Sequence, residues 1–331
     1  MVRKIVVTGG SGFIGAHLVR ELVSRGEKVV VIDNQLRGDV TRLADVMDEV
    51  DWRNVDVRDE DAVTGAARGA DLIIHLAAIN GTRNFYQRPE LVLDVGIRGA
   101  LAVVNACMRA GVPDLVVASS AEVYQQPPVI PTPETVALML PDSLNPRYSY
   151  GGSKIISELI AFNYGREHFR KVQVFRPHNV YGPQMGTKHV IPELIAKIRQ
   201  LQVKQSGSGT LRLPIQGTGQ ETRAFCYVRD AVEGIMLMYD RGAHREIYHI
   251  GNDQEVTIGQ LAQKLGKAMG LDVEPVGSQA PDGETSRRCP DISKMRAIGY
   301  QPKVDLDQGL ELTVAAYLKD PVDHTHSNPL V

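Results

Sequence analysis

Short apolar runs rich in β-branched residues alternate with longer segments of helical periodicity in the first half of the chain. The helical segments include FIGAHLVRELVSRG (13–26) and ALAVVNACMRAG (100–111), and each ends at a glycine, as helices commonly do. The predicted strands are KIVVTG (4–9), KVVVIDN (28–34), DLIIHLAA (71–78), DLVVASS (114–120) and KVQVFRP (171–177). Because these strands are almost continuously apolar, we predict an α/β fold with a doubly wound parallel sheet that helices cover on both faces.

The pattern changes after residue 176. IPELIAKIRQLQ (191–202) and TIGQLAQKLGKAMG (257–270) predict helices, whereas residues 204–223 are Gly-rich and irregular. YHIGN (248–252) falls among these short mixed elements. The predicted organisation is a first domain over 1–176, a smaller mixed α/β domain mainly over 177–320 with some segments returning to the first, and a flexible tail over 321–331.

Composition narrows the class of protein. The 331 residues carry a net charge of −2, which gives no electrostatic case for a nucleic-acid partner or a membrane surface. No apolar run approaches the roughly 18 residues of a membrane span. Cys107, Cys226 and Cys289 are widely spaced without a CxxC motif, and the chain passes from MVRK directly into a predicted strand without a secretory signal. We expect a cytoplasmic protein with no metal site, no nucleic-acid partner and no membrane partner.

TGGSGFIG (8–15) lies between the first predicted strand and the first predicted helix. Its glycines let the chain turn tightly and let the backbone approach a pyrophosphate at the helix N-terminus, so the turn predicts a Rossmann-like dinucleotide site. Asp33 ends the second strand about 20 residues further on, where a carboxylate binds the adenosine ribose hydroxyls and repels the 2′-phosphate of NADP. NAD is therefore the predicted cofactor, although Arg37 lies close enough to keep NADP open. Asp33 alone could also be a turn former.

Tyr150 and Lys154 form a Tyr-x-x-x-Lys pair in a segment predicted to be helical. Four residues are about one turn, so both side chains share one face. A neighbouring ammonium group favours the phenolate, which brings the tyrosine closer to acting as a base at neutral pH. Such pairs are common on solvated helices, but this pair accompanies the glycine turn and Ser119-Ser120 at a predicted strand end.

These motifs together resemble those of the extended short-chain dehydrogenase/reductases, specifically the NAD-dependent nucleotide-sugar epimerase/dehydratase family. The resemblance covers roughly residues 5–315. The residues that carry it, in order, are TGGSGFIG, Asp33, HLAA (75–78), SSAEVY (119–124), YGGSK (150–154), RPHNVYGP (176–183), QETRAFCYVRD (220–230) and RRCPDISK (287–294).

The resemblance implies a role for each matching position. Tyr150 and Lys154 would be the catalytic pair, Ser120 would bind the reacting sugar hydroxyl, and Glu122 is a further catalytic candidate. The expected NAD-binding residues are Gly9, Gly12, Phe13, Ile14, Gly15, Asp33, Asn34, Asp56, Val57, Leu76, Ala77, Ala78, Tyr150, Lys154 and Pro177. The expected nucleotide-sugar-binding residues are Ser120, Tyr150, Asn179, Val190, Gln216, Arg223, Arg287 and Arg288, with one of the two adjacent arginines serving as ligand.

Three positions depart from the family pattern. Gly96 lies where family members commonly have an asparagine, so a polar group near the catalytic tyrosine is absent. Gln125 replaces the usual glycine after Tyr124. Gln216 lies where an aromatic residue often stacks on the nucleobase, which weakens the assignment of the base.

The residues at 120–122 bear on which reaction follows oxidation at sugar C4. A 4,6-dehydratase needs an adjacent Asp-Glu pair where this chain has Ala121-Glu122, and Ala121 cannot donate a proton. Glu122 keeps decarboxylation and dehydration open, whereas epimerisation requires the fewest special groups. We therefore predict a UDP-hexose or UDP-hexuronate 4-epimerase, for example acting on UDP-glucuronate. The alternatives are UDP-glucuronate decarboxylase, NDP-hexose 4,6-dehydratase, 4-ketoreductase and a non-catalytic NAD-binding sensor or scaffold.

The resemblance also implies an assembly. Apolar helix faces at 98–111 and 150–165 suggest a homodimer built on a four-helix contact. The same faces could equally belong to the core of one subunit.

Overall fold

A computed structural model describes residues 2–187, 189–204, 209–278 and 286–319, so the predicted tail over 321–331 lies outside the described residues. Its strands are β1 Lys4–Thr8, β2 Lys28–Asp33, β3 Val50–Asn54, β4 Leu72–His75, β5 Asp114–Ala118, β6 Lys171–Pro177, β7 Val180–Tyr181, β8 Leu211–Pro214, β9 Thr222–Ala224, β10 Cys226–Tyr227, β11 Glu246–Ile250, β12 Glu255–Thr257, β13 Val273–Val276 and β14 Arg287–Arg288. Its helices are α1 Phe13–Ser24, α2 Glu60–Ala67, α3 Thr82–Gln87, α4 Pro89–Leu93, α5 Gly99–Ala110, α6 Ser149–Asn163, α7 Val190–Lys204, α8 Val228–Arg241, α9 Ile258–Ala268, α10 Ser293–Ala297 and α11 Leu306–Lys319.

A seven-stranded sheet forms the centre of the molecule, in the order β3-β2-β1-β4-β5-β6-β11. Every neighbouring pair in it is parallel. The strand order reverses between β1 and β4, and in sheets of this type ligands bind at the carboxyl ends of the strands beside such a reversal. The predicted fold class, a Rossmann-like doubly wound sheet, is confirmed.

Helices cover both faces of this sheet because successive strand residues point to opposite sides. Ile5 and Val7 of β1 belong to the apolar cluster that contains residues of α1 and α8. Val6 faces the other way, into the cluster that contains residues of α2, α5 and α6. All three β1 side chains are fully buried. This two-sided burial explains the continuous apolar runs in the sequence.

The seventh strand was placed wrongly by the sequence analysis. We predicted 248–252 among the elements of the smaller domain, but β11 lies at the edge of the central sheet, paired with β6 from Glu246–Gln173 to Ile250–Pro177. The intervening α8 serves as the crossover helix and packs against α1. The long insertion between β6 and α8 concealed this parallel connection in the sequence.

The remaining C-terminal elements form small sheets beside the carboxyl edge of the central one. β9 is the middle strand of a three-stranded sheet with β12 and β14, and β8 pairs with β13. The pairing of β14 with β9 brings Arg287 and Arg288 beside Thr222 and Arg223. The predicted domain boundary at 176/177 stays a prediction.

Among the described residues, one helical stretch, Pro89–Ala110, is long and apolar enough to cross a membrane by length and composition alone. Its mean hydropathy is 1.7, and its apolar window is 56% buried in the protein, a criterion that core helices of soluble proteins also meet. Our sequence analysis considered only uninterrupted apolar runs and did not identify this stretch. The absence of a membrane partner therefore stays a prediction.

Candidate active site

A cavity of about 420 Å³ lies at the carboxyl edge of the central sheet, between that sheet and the C-terminal elements. A smaller cavity of about 100 Å³ adjoins it, and the two share Gly9, Gly12, Arg37, Leu76 and Ala78 in their linings. The predicted residues that line the larger cavity are Gly9, Gly12, Phe13, Ile14, Gly15, Leu76, Ala78, Ser120, Glu122, Tyr150, Lys154, Pro177, Asn179, Val190 and Arg288. Those that line the smaller cavity include Asp33, Asn34, Asp56, Val57 and Ala77.

At two positions of the glycine turn, Gly9 and Gly15, there is no space for a Cβ atom. A Cβ on Gly15 would lie 2.2 Å from the Gly9 carbonyl oxygen, and a Cβ on Gly9 would lie 2.8 Å from the Ala77 nitrogen. Gly9 also has φ of +71°, a conformation that side-chain-bearing residues rarely adopt. The hydroxyl of Ser11 is buried in this turn without a hydrogen-bond partner among the described residues. The turn thus has the close backbone approach that a dinucleotide pyrophosphate requires.

Two carboxylates lie at the end of the groove where the adenosine of a dinucleotide would bind. Asp33 is buried and accepts hydrogen bonds from the backbone nitrogens of Ser11 (3.1 Å) and Gln35 (2.8 Å), so it also stabilises its own turn. Asp56 accepts a hydrogen bond from the Asn34 side-chain nitrogen at 2.9 Å. These residues and the glycine turn fit NAD, as the sequence predicted.

Tyr150 and Lys154 lie on α6 with both side chains buried at the floor of the larger cavity. The Lys154 ammonium donates to the Ala118 carbonyl at 2.7 Å and lies 5.8 Å from the centre of the Tyr150 ring. Burial lowers the pKa of Lys154 to about 8, against the opposing charge of Glu158. Burial raises the pKa of Tyr150 to about 12, although its hydrogen bond with Ser120 acts in the opposite direction. A further positive charge beside the phenol would therefore assist its ionisation.

The two serines after β5 point in different directions. Ser120 lines the cavity, bonds to Tyr150 and accepts a hydrogen bond from the Glu122 backbone nitrogen at 3.1 Å. The Ser119 hydroxyl instead donates to Glu158 in the interior. Both serines line the cavity, but the Ser120 hydroxyl bonds to Tyr150 whereas the Ser119 hydroxyl is held by Glu158.

Glu122 lies between two arginines at the cavity wall. Its carboxylate pairs with Arg288 at 2.7 Å and with Arg147 at 3.2 Å, and its side chain is 18% exposed. Burial alone would raise the pKa of Glu122, but the charges of Arg288 and Arg147 outweigh it and hold the pKa below its ordinary value. Glu122 is therefore a carboxylate at neutral pH and is a poor proton donor.

Arg147 and Phe85 are site residues that the sequence analysis missed. The Phe85 ring stacks on the Tyr150 ring with centroids 5.2 Å apart, and the Arg147 guanidinium lies over Phe85 at 5.7 Å. Arg147 lies on the 3₁₀ turn Pro146–Tyr148 just before α6, so the helical Tyr-x-x-x-Lys pattern did not include it. No sequence signal identified Phe85.

Three predicted substrate residues do not line the described part of either cavity. Gln216 is exposed. Arg223 donates to the backbone oxygen of Thr222 at 2.8 Å. Arg287 makes a two-pronged contact with Glu255 at 2.9 and 2.6 Å, so of the two adjacent arginines it is Arg288 that reaches the cavity.

Gly96 has a packing role in place of the expected asparagine. A Cβ at Gly96 would lie 2.7 Å from the Ser153 hydroxyl, and the Gly96 carbonyl accepts a hydrogen bond from Ser157 at 3.1 Å. Gly96 belongs to a π-helical turn, Asp94–Arg98, between α4 and α5. The absent side chain thus allows this turn to contact the catalytic helix directly.

A buried ion pair lies behind the cavity. Arg176 donates to both oxygens of Glu158 at 2.8 and 2.6 Å, and the two side chains are 2% and 5% exposed. Arg176 also donates to the Tyr124 hydroxyl, which contacts His249 at 2.7 Å. This network joins α6 to β6, β11 and the turn after β5.

Comparison with known proteins identifies the family of this chain, while the similar proteins catalyse different reactions. The sequence profile of the NAD dependent epimerase/dehydratase family matches residues 5–251. UDP-glucuronic acid decarboxylase 1 of Xenopus tropicalis is 30% identical over 99% of this chain and 75% of its own length. A UDP-glucose 4-epimerase of Thermotoga maritima superposes with a TM-score of 0.84 at 28% identity, covering 96% of this chain and 99% of that one. A dTDP-glucose 4,6-dehydratase of Streptomyces venezuelae, solved with NAD bound, has a TM-score of 0.85 at 28% identity over 99% and 100% of the two chains.

The glycine turn gives a first testable prediction. Gly15→Ala should weaken NAD binding at least tenfold, because its Cβ would displace the Gly9 carbonyl at 2.2 Å. Gly65→Ala on α2 is the matched control, since a Cβ there meets no atom within 4 Å. Equilibrium dialysis with NAD measures both variants, and unchanged affinity in Gly15→Ala would contradict this role of the turn.

The buried ion pair between Arg176 and Glu158 gives a second testable prediction. Arg176→Met should lower the free energy of unfolding by about 3–5 kcal/mol, because it leaves the Glu158 carboxylate buried without its main partner. Arg166→Met removes an exposed ion pair with Glu167 and should cost less than about 1 kcal/mol. Urea denaturation followed by circular dichroism compares the two variants, and equal stabilities would show that the buried pair contributes no more than a surface one.

Proposed function

The chain belongs to the NAD-dependent epimerase/dehydratase family, and from that premise we propose that it oxidises C4 of a UDP-hexuronate and releases its carboxyl group as CO₂. The observation that carries the proposal is the placement of Glu122 between Arg147 and Arg288 at the wall of the cavity. Family membership supports an NAD-dependent enzyme acting on nucleotide sugars. The sugar and the fate of the oxidised intermediate are our proposals.

Tyr150 would accept the proton of the sugar C4 hydroxyl. Ser120, which bonds to Tyr150, would orient that hydroxyl. The Lys154 ammonium, fixed by the Ala118 carbonyl at 2.7 Å, would favour the phenolate by its charge. When bound, NAD⁺ accepts the hydride from C4 and later returns it. The same tyrosine then acts in reverse, as the proton donor in the reduction step.

The two arginines support a substrate with a carboxylate. Two guanidinium groups flank one carboxylate in a partly buried pocket, where ionic contacts are stronger than in water. An arginine can bind a carboxylate through two parallel hydrogen bonds. The carboxyl group of a hexuronate would therefore compete with Glu122 for Arg288 and Arg147, whereas a hexose hydroxyl would not.

Once C4 is a ketone, the carboxylate on C5 is β to that ketone. Cleavage of the C5–C6 bond releases CO₂ and moves its electron pair into an enolate whose oxygen bonds Tyr150 and Ser120. C5 of the enolate then takes a proton from a water molecule, which restores the C4 ketone, and reduction at C4 completes the reaction. Because Glu122 shares the arginines, the substrate carboxylate keeps part of its negative charge, and this charge favours its departure as neutral CO₂.

A second candidate, 4-epimerisation, is the reaction that we predicted from the sequence alone. It is favoured by the structural similarity to the UDP-glucose 4-epimerase and by the small number of groups that the reaction requires. Dehydration is less well supported, because Ala121 has no acidic group and Glu122 is held as a carboxylate. The change in preference from epimerisation to decarboxylation rests on Arg147, which the sequence analysis did not identify.

Two further statements remain proposals. We propose that the protein is a homodimer, as the resemblance implies, and that it is cytoplasmic, as the sequence implies. Neither enters the argument about the reaction.

The third prediction concerns the product. Incubation with NAD⁺ and UDP-glucuronate should yield a nucleotide sugar lighter by the mass of CO₂, measured by mass spectrometry. UDP-glucose, UDP-galactose and dTDP-glucose are included in the same panel. A new stereoisomer of unchanged mass would contradict decarboxylation and support the epimerase, whereas loss of water would support the dehydratase.

The fourth prediction concerns the proposed base. Tyr150→Phe should lower turnover by about a thousandfold, because it removes the proton acceptor from the buried floor of the cavity. Affinity for NAD should change little, since the ring and its stacking on Phe85 remain. Tyr148→Phe, on the turn just before α6, is the control and should retain activity. Normal turnover by Tyr150→Phe would exclude Tyr150 as the base.

A further inference from the structure

Gln125 adopts an unusual backbone conformation beside the cavity. Its φ is +52°, in the left-handed region that glycine and asparagine favour, and its side chain is buried. Such a conformation costs free energy and persists where surrounding contacts impose it. Gln125 is the residue that replaces the usual glycine of this turn. A glycine would adopt this backbone conformation without strain, whereas this chain has a long side chain here.

The side chain of Gln125 reaches back to the residue at the centre of the site. Its amide nitrogen donates to the Glu122 carbonyl oxygen at 2.5 Å. The Glu122 backbone nitrogen donates to the Ser120 hydroxyl at 3.1 Å. Both main-chain polar groups of Glu122 are thus bound by side chains of its own turn, while its carboxylate is bound by two arginines from elsewhere in the chain.

The same amide lies against the catalytic helix. A Cβ on Gly151 would lie 2.6 Å from the Gln125 amide nitrogen and 2.9 Å from the Glu122 carbonyl oxygen. Gly151 directly follows Tyr150 on α6. Glycine at 151 therefore allows the Gln125 amide and the Glu122 main chain to lie directly against the turn of helix that carries Tyr150.

From these contacts we propose that Gln125 is a positioning residue that fixes the main chain of Glu122 relative to Tyr150, with Gly151 providing the space. In the proposed reaction Glu122 shares Arg147 and Arg288 with the substrate carboxylate during decarboxylation, so this inference rests on the proposed function. Without the Gln125 amide, Glu122 would keep its ion pairs, but its main chain would no longer be held at a fixed distance from α6. Oxidation of the substrate would continue, and the step that depends on Glu122 would slow.

Gln125→Asn tests whether the length of the Gln125 side chain matters. Asparagine keeps the amide and tolerates positive φ better than glutamine, but it is one methylene group shorter and cannot reach the Glu122 carbonyl. We expect unchanged NAD affinity, a thermal midpoint close to that of the native chain, and a fall in steady-state product formation of about tenfold or more. In a single turnover, NADH absorbance should rise as in the native protein and decay more slowly.

The controls separate positioning from general damage. Gln184→Asn alters another glutamine at positive φ, 64°, whose side chain is exposed, and it should leave turnover unchanged. Gly151→Ala places a Cβ of α6 against the Gln125 amide and the Glu122 carbonyl, so it should disrupt their contact and reproduce the slow decay of NADH. Combined with Gln125→Asn, it should lower product formation by less than the product of the two single effects, because both variants break one contact.

Hydrogen–deuterium exchange tests the inference without any substrate. In Gln125→Asn, the peptide covering 119–125 should exchange faster than in the native protein, and the peptide covering 180–187 should not. Unchanged exchange at 119–125 together with native turnover would overturn the role of Gln125. Loss of NAD binding or a collapse of thermal stability would also overturn it, since it would show a general structural role. If the native protein yields no CO₂ but epimerises its substrate, the proposed reaction fails while the exchange result still decides the role of Gln125.

Discussion

The buried ion pair between Glu158 and Arg176 is the interaction on which the geometry of the site depends. Charged groups this deeply buried are stable only when each is paired and hydrogen-bonded, and here both oxygens of Glu158 accept from Arg176. Glu158 lies one turn after Lys154 on α6, and Arg176 is the penultimate residue of β6. The pair therefore fixes the helix that carries the catalytic candidates to the carboxyl end of the sheet.

The same network extends to the part of the chain that supplies Arg288. Arg176 contacts the Tyr124 hydroxyl, Tyr124 contacts His249, and the His249 ring contacts the Asp291 carbonyl at 3.0 Å. Asp291 follows Arg288 by three residues. A chain of polar contacts thus runs from the catalytic helix to Asp291, in the segment that follows Arg288. This arrangement explains how residues far apart in sequence meet in one pocket with defined distances.

Much of the fold could be predicted from the sequence because its signals are local. The glycine turn, the continuous apolar strands and the Tyr-x-x-x-Lys spacing each depend on residues within one or two elements. The parallel strand β11 was misplaced, since its partner β6 lies about 70 residues earlier and no local pattern records that pairing. Arg147 and Phe85 were missed for a related reason: their contacts with Glu122 and Tyr150 exist only after the chain has folded. Gln216 was predicted at the cavity by resemblance, but its side chain is exposed to solvent. One of the two adjacent arginines was expected to be a ligand, and folding brings Arg288 to the cavity while Arg287 pairs with Glu255.

The central claim is that Arg147 and Arg288 recognise a carboxylate on the sugar. The most direct measurement is the affinity of the NAD-bound protein for UDP-glucuronate and for UDP-glucose by titration calorimetry, in the native chain and in Arg288→Met, with Arg287→Met as the neighbouring control. We predict that the native chain binds UDP-glucuronate at least tenfold more tightly than UDP-glucose. The ratio of the two affinities should fall towards one in Arg288→Met and should stay unchanged in Arg287→Met. Equal affinities in the native chain, or an unchanged ratio in Arg288→Met, would contradict the claim.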